Sequence, residues 1–450
     1  MLMIKNITIA TVDKADKVIA DGVVVVEDEK IKWVGESKEC QFKEENMETV
    51  VDGCQNLLIP GLINAHTHNV YYLMRGLGMD KPLKTWLIDT IWPYLAEINE
   101  EEAYLGAYLG YMENLRSGVT YVIDNYYMAA KSKSNVDAVF KAMVDTGIKG
   151  MVARGYHDLD FNVPKDFMET TDEIVTEYKR IFNKWHGAEG GRISACISPV
   201  NLLYTTVDSL KATIKLAKEY NACFHTHVAE AKFEVDKIQA RFGKEFIEVL
   251  DELGIVNERF HSVHSVWLSK NEMNILADRG GKVIYNPSSN LLLASGIAPI
   301  ESMLERGVEV ALGTDAPNNN QDMLESMKLA AILPRMENLN PLAVSAKQSL
   351  RMATIEGAKA VGLEAEIGSI EVGKKADLVL VNMHSLHNTP CYDKVANLIY
   401  SSNQSDVISV WIDGKEKLEA GKFIDLNPEK IVKDVNNQMV NLQERVSNRK

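Results

Sequence analysis

A chain of 450 residues with 46% hydrophobic and 25% charged side chains has ordinary globular composition and material for a large core, which excludes disordered, collagen-like and coiled-coil chains. Its 49 Lys+Arg against 63 Asp+Glu leave a net charge of −14, which repels phosphate backbones and anionic lipid surfaces, so neither nucleic acid nor membrane is an expected partner. No apolar run reaches the roughly 18 residues that span a bilayer, the start lacks a secretion signal, and five scattered cysteines (Cys40, Cys54, Cys196, Cys223, Cys391) show no Cys-x-x-Cys spacing; the chain reads as cytoplasmic, with reduced, buried thiols.

Residues 1–58 are strand-like. Ile4 to Val12, Gly22 to Asp28 and Ile31 to Gly35, with a turn at Glu29-Lys30, make a hairpin-rich β segment. Beyond it, short apolar runs alternate with longer helical patterns, the signature of parallel βα units. Strands are expected at Leu58 to Ala65, Val119 to Asp124, Lys149 to Arg154, Arg192 to Ser198, Ala222 to His227, Phe260 to His264, Lys282 to Asn286 and Val308 to Asp315. Eight such strands match an α/β fold of the (β/α)8 TIM-barrel type. Gly368 to Gly373, Leu378 to Val381 and Val407 to Ile412 return to strand character. Because isolated hairpins are marginal, both chain ends are expected to share one small β-sandwich domain. The tail carries Val432, Val435, Met439 and Leu442 at helical spacing. The expected organisation is residues 1–58 as the N-terminal part of the sandwich, 59–365 as the barrel, 366–426 as the C-terminal part of the sandwich and 427–450 as a terminal helix.

Working residues in such barrels project from the C-terminal strand ends. His66-Thr67-His68 closes the first strand, and the i, i+2 spacing puts both imidazoles on one face, as two metal ligands need. His225-Thr226-His227-Val228-Ala229-Glu230 closes the fifth strand, His264 the sixth, and Asp315 follows Leu312-Gly313-Thr314 at the eighth. One strand-end histidine is commonly a structural residue, and an Asp there a helix cap. Four or five of only 10 histidines gathered at one rim point instead to a metal centre. On these residues alone, either His225 or His227 could be the ligand from strand five.

The pattern resembles the amidohydrolase superfamily, and within it the aromatic-ring deaminases and chlorohydrolases, which include methylthioadenosine/S-adenosylhomocysteine deaminases and triazine hydrolases. The resemblance covers nearly the whole chain. It rests on Pro60-Gly61-Leu62-Ile63-Asn64-Ala65-His66-Thr67-His68, His227-Val228-Ala229-Glu230, His264-Ser265-Val266-Trp267-Leu268, Asn286-Pro287-Ser288-Ser289-Asn290, Gly313-Thr314-Asp315, and Gly368-Ser369-Ile370-Glu371-Val372-Gly373-Lys374-Lys375-Ala376-Asp377.

It implies that His66, His68, His227 and Asp315 bind one divalent metal ion per chain, zinc first and iron second. The family's His-x-x-Glu pattern selects His227 with Glu230 and leaves His225 facing the barrel wall. Two-metal relatives bridge their ions through a carbamylated lysine closing strand four; Arg192 to Ser198 contains none, so a single ion is expected. A metal ion lowers the pKa of its water toward neutrality. Asp315 would accept the water proton and His264 would orient the water or the developing alkoxide. Glu230 would protonate the ring nitrogen beside the attacked carbon and then pass a proton to the departing amine. The expected reaction is hydrolytic deamination of an aminated nitrogen heterocycle of purine, pterin or triazine type, releasing ammonia. The alternatives are dechlorination or dealkylamination of a triazine-like ring by the same activated water, and a non-catalytic binding scaffold. The partners expected are the small heterocyclic substrate and further copies of the chain in a homo-oligomer. The unrelated zinc deaminases with Pro-Cys-x-x-Cys are excluded, because Pro390-Cys391 lacks the second cysteine.

On the substrate side, Pro82-Leu83-Lys84-Thr85-Trp86-Leu87 matches nucleoside-deaminating members, but Leu95 stands where they carry a ribose-binding glutamate. Cys196-Ile197-Ser198-Pro199 replaces Pro-His-x-Pro, and Tyr285 replaces a usual histidine. These departures favour a free base or compact heterocycle over a nucleoside. Arg154, closing strand three, would bind a substrate carboxylate or pair with a neighbouring acid. The substrate-binding candidates are thus Trp86, Arg154 and Tyr285; Met74, Met128 and Tyr156 could also stack on a flat ring, though such residues commonly form core.

Overall fold

The computed structural model describes residues 1–126, 135–160, 163–315 and 320–449; Met128 lies outside them. Eight strands form one parallel sheet in chain order: Leu62–Thr67, Val119–Tyr126, Lys149–Tyr156, Ile193–Pro199, Phe224–Val228, Phe260–His264, Lys282–Tyr285 and Glu309–Leu312. Beyond the last strand, Thr314 and Asp315 donate their backbone N–H groups to the His66 carbonyl at 3.1 and 2.9 Å. That return brings the end of the eighth strand beside the first, giving a nearly closed barrel. The connecting helices start where local chemistry allows: capping boxes Thr170/Glu173 and Ser269/Glu272 open Thr171–Trp185 and Lys270–Arg279.

Leu58 to Ala65, expected as one strand, is two. Leu57–Pro60 pairs antiparallel with Leu378–Val381, whereas Leu62–Thr67 begins the barrel. Their hydrogen-bond partners diverge at Gly61: its N–H donates to Asp377 O at 2.8 Å, and that of Leu62 to Gly118 O at 3.0 Å.

The chain ends build a nine-stranded mixed sheet. Its order is Lys422–Phe423, Lys415–Glu419, Val407–Ile412, Leu378–Val381, Leu57–Pro60, Leu2–Ala10, Val18–Glu27 and Lys30–Glu36, with Thr49–Asp52 also paired to Leu2–Ala10. Ile4, Ile9, Val24, Leu58, Leu378 and Trp411, contributed from both ends, share its core. Gly368 to Gly373 is not a strand. Gly368 and Gly373 take φ of 88° and 92°, left-handed values that break extended backbone, and the segment turns instead.

Two compact units divide the chain, one of Met1–Asn64, Glu113–Tyr121 and Gln321–Leu426, the other of Ala65–Met112, Val122–Asn320 and Asn427–Lys450. The last helix, Pro428–Asn448, is capped by Asn427 Oδ1, which accepts from Lys430 N at 2.9 Å. It buries Ile431, Val435 and Leu442; Val432 is exposed, one position off that stripe. The cysteines are all free, but only Cys196 and Cys223 are buried; Cys54 is exposed at a turn, and Cys40 and Cys391 are half-buried. Among the described residues no helix is long and apolar enough to cross a membrane.

Candidate metal centre and substrate cleft

The first strand carries His66, and His68 follows it directly, before the short helix Asn69–Met74. His227 lies in the fifth strand, and Glu230 just before helix Lys232–Phe242. His264 is the last residue of the sixth strand and Asp315 lies three residues beyond the eighth. All six side chains are buried. Asp315 Oδ1 is 3.5 Å from His66 Nε2 and 3.3 Å from His68 Nε2, and its Oδ2 is 3.8 Å from His264 Nε2. His264 Nε2 is 3.7 Å from Glu230 Oε2.

Among the described residues, two sets could hold a metal ion, His66 with His68 and His227, and His66 with His264 and Asp315; within each set the ligand atoms lie within 4.8 Å of one another. The donor chemistry fits a divalent cation. His66 Nε2 is buried and has no hydrogen-bond partner. His68 Nδ1 donates to Asn125 O at 2.6 Å and His227 Nδ1 to Val200 O at 2.7 Å, which in a neutral ring puts the lone pair a metal would use on Nε2. The fourth strand ends Cys196-Ile197-Ser198-Pro199 without a lysine, and Ser198 Oγ accepts from Asn125 Nδ2 at 2.6 Å.

Burial lowers the pKa of His66 and His264 well below the ordinary imidazole value, and that of His227 to about 4. The Asp315 carboxyl is pushed up by burial, but the His68 and His264 imidazoles and a Ser289 hydrogen bond outweigh this and hold it below the usual range. Glu230 is the opposite case. Burial, the Glu234 carboxyl and Asp315 together raise it well above the usual range. Glu234, raised by burial to about 7, accepts from Glu230 N at 2.8 Å and from Asn201 Nδ2 at 2.8 Å.

His225 does not face the barrel wall. It shares the inward face with His227 because residues i and i+2 of a strand point the same way. Its Nε2 lies 2.8 Å from His66 Nδ1.

A cleft enclosing about 520 Å³, its open mouth included, lies over the cluster. His68, His227, Glu230, His264 and Asp315 floor it; Tyr71, Trp86, Tyr204, Leu83, Leu87 and Leu293 give apolar walls, and Asn201 and Glu234 a polar corner. Tyr71 stacks on His68 with ring centroids 4.7 Å apart. Trp86 is therefore the substrate-side candidate that reaches the cleft. Arg154 is turned to Glu169, with Nη1 and Nη2 each 2.7 Å from one of its carboxylate oxygens, and neither it nor Tyr285 is a wall residue. Met74 and Tyr156 are buried core, and Leu95 is 1% exposed on helix Trp92–Leu95, away from the cleft wall. Sequence reasoning missed Tyr71, Asn201, Tyr204 and Glu234. Two had a local signal, since Asn201 follows the end of strand four and Glu234 lies one helical turn beyond Glu230.

Residues 57–417 match the model of the amidohydrolase family. The chain belongs to the amidohydrolase family. This amidohydrolase is 36% identical to a 5'-deoxyadenosine deaminase of Methanosarcina mazei over 99% of both chains. It is 35% identical to a 5-methylthioadenosine/S-adenosylhomocysteine deaminase of Thermoanaerobacter pseudethanolicus, over 99% of this chain and 100% of the other. Among solved structures, an adenosine deaminase from Xanthomonas campestris with bound zinc superposes with a TM-score of 0.91 at 31% identity, covering 99% of this chain and 98% of that one. An atrazine chlorohydrolase from Arthrobacter aurescens shares the fold, with a TM-score of 0.92 at 23% identity over 98% of this chain and 100% of the other. As an amidohydrolase, the protein is a hydrolase of carbon–nitrogen bonds.

Proposed function

We propose that this amidohydrolase deaminates the purine ring of an adenosine-type nucleoside, releasing ammonia, with one zinc ion held by His66, His68, His227 and Asp315. The observation that carries the reading is the pairing of opposites at the cleft floor. Glu230, its carboxyl pushed up by burial, lies 3.7 Å from His264, which in turn lies 3.8 Å from Asp315, whose carboxyl is held down by the imidazoles beside it. The two relatives that are 35–36% identical carry names of deaminases of adenosines altered at the 5′ position. Leu95 is no obstacle to a ribose, because it is buried away from the cleft wall. The apolar side chains of Leu83, Leu87 and Leu293 suit a 5′ substituent without a hydroxyl.

A bound zinc ion supplies acidity to water, so that a strong nucleophile exists near neutral pH. Asp315, ionised, accepts the proton given up by the attacking water. His264 Nδ1 faces the amide nitrogens of Asn290 at 3.0 Å and Asn286 at 3.4 Å, which donate to it, so its own proton sits on Nε2. From there it hydrogen-bonds the oxygen arriving at the ring carbon, between the two carboxyl groups. Glu230 gives its proton to the ring nitrogen beside that carbon; the proton taken up by Asp315 passes to the amino group, which leaves as ammonia as the ring C–N bond breaks, and the proton still on the attacking oxygen returns to Glu230 as the carbonyl forms. Water plus the aminated ring thus becomes the ring carbonyl plus ammonia. Trp86 and Tyr71 wall the ring.

Ammonia release from zinc-loaded protein tests the reading, over adenosine, 5'-deoxyadenosine, methylthioadenosine, S-adenosylhomocysteine, free purines, pterins and triazines. The expected preferred substrate is a 5′-modified adenosine with kcat/KM near or above about 10⁵ M⁻¹s⁻¹. Turnover of chlorinated triazines to chloride, with no nucleoside deaminated, would overturn it.

A further inference from the structure

Two of the three imidazoles assigned to the ion are oriented by backbone carbonyls, at Asn125 for His68 and Val200 for His227. A carbonyl oxygen only accepts, so those rings have a single possible tautomer. His66 is different. Its Nδ1 meets His225 Nε2 at 2.8 Å, and His225 Nδ1 meets His261 Nδ1 at 3.1 Å. His225 and His261 are paired in register on adjacent strands, and all three rings are fully buried.

An imidazole nitrogen can donate or accept, so with each ring carrying one proton this chain has two proton arrangements. In the first, His66 donates from Nδ1 to His225, and His225 donates from Nδ1 to His261. His66 Nε2 is then bare and able to bind a cation. In the second every proton reverses, and His66 points an N–H at Asp315, whose Oδ1 is 3.5 Å away, leaving no lone pair for a metal.

We propose that His225, backed by His261, is a positioning residue that holds His66 in its metal-binding tautomer and so sets the affinity of the centre for a divalent cation. The inference rests on the reading of His66 as a ligand. Outer partners of ligating histidines are worth about 10- to 100-fold in metal affinity. Zinc affinity, measured by chelator competition, and the melting temperature of the metal-free protein are compared for the wild type and for His225→Phe, His225→Gln and His66→Ala. His225→Phe removes the acceptor and is expected to weaken zinc about 10- to 100-fold, a loss read separately from any drop in the metal-free melting temperature caused by the unpaired buried rings. His225→Gln keeps an amide oxygen able to accept from His66 and is expected to bind zinc more tightly than His225→Phe. Wild-type zinc affinity in His225→Phe, with zinc lost in His66→Ala, would overturn the positioning role alone. Zinc retained in His66→Ala would instead overturn the ligand assignment beneath it. Should His225→Phe not fold, ¹⁵N NMR of zinc-loaded wild-type protein decides: protons on Nδ1 of His66 and His225 are expected, and a proton on His225 Nε2 refutes the proposal.

Discussion

Gly313 has almost no room. A Cβ there would lie 2.3 Å from Asn286 Oδ1, 2.7 Å from His66 O and 2.9 Å from His66 Cβ, because the backbone must approach His66 for the next two residues to bond its carbonyl. Gly313→Ala is therefore expected to displace His66 and weaken zinc binding on the order of tenfold, read by chelator competition. Gly307→Ala, whose Cβ would meet nothing within 4 Å, should cost about 1 kcal/mol of stability and leave zinc affinity unchanged. Backbone strain also places side chains here. His264 and Asp315 take φ of 72° and 57°, left-handed values uncommon outside glycine. His261 and His264, three apart, would face opposite sides of a regular strand; the left-handed turn at His264 brings it to the same interior. Glu230→Gln removes the deliverable proton without touching the proposed ligands. It should keep the zinc content, by elemental analysis, while kcat for ammonia release falls about a hundredfold or more.

The terminal helix Pro428–Asn448 shows how an element outside the barrel alternation is anchored. Arg445 Nη2 lies 2.5 and 2.6 Å from the two carboxylate oxygens of Glu102, whose side chain is fully buried, and 3.2 Å from Glu97 O. A buried carboxylate deprived of its cation is costly, while the partial exposure of Arg445 lets water enter in its place. Arg445→Ala is thus expected to cost about 1–3 kcal/mol, measured by urea unfolding, with ammonia release per folded molecule unchanged. The apolar stripe Ile431, Val435 and Leu442 supplies the remaining attachment. Its spacing is helical, but position 432 competed with 431 for the buried face, and only packing settled the phase.

At the scale of the whole molecule, the proposed zinc ion would be held by residues at the ends of the first, fifth and eighth strands and so tie distant parts of the chain together, and any ligand specific to the native state stabilises it by mass action. Free zinc at a thousandfold excess over its dissociation constant contributes about 4 kcal/mol. Chelated protein is expected to keep its far-ultraviolet circular dichroism at 25 °C, because the barrel strands are buried independently of any ion, but to melt at a lower temperature that zinc restores. His66→Ala and His227→Ala should melt like the chelated wild type and show no response to zinc. A wild-type melting temperature indifferent to chelator would argue against a tightly held ion.

Local periodicity determined much of this protein. Period-two and helical runs placed the barrel strands within a few residues, and the i, i+2 spacing of His66 with His68, and of His225 with His227, put each pair on one face of a strand. What alternation cannot say is which residue of another strand lies opposite, or in which layer of the barrel. Those are set by the stagger of strands around the closed sheet. Tertiary structure alone therefore directed His225 to His66, 159 residues away, and to His261, and gave Arg154 to Glu169 rather than to the cleft. It also chose Trp86 over Tyr285 as a wall and recruited Tyr71, Asn201, Tyr204 and Glu234, because a cavity's lining is a property of how loops converge above the strands. Residue types and spacing pointed to a metal centre. The three-dimensional register decided which hydrogen bonds hold it in place.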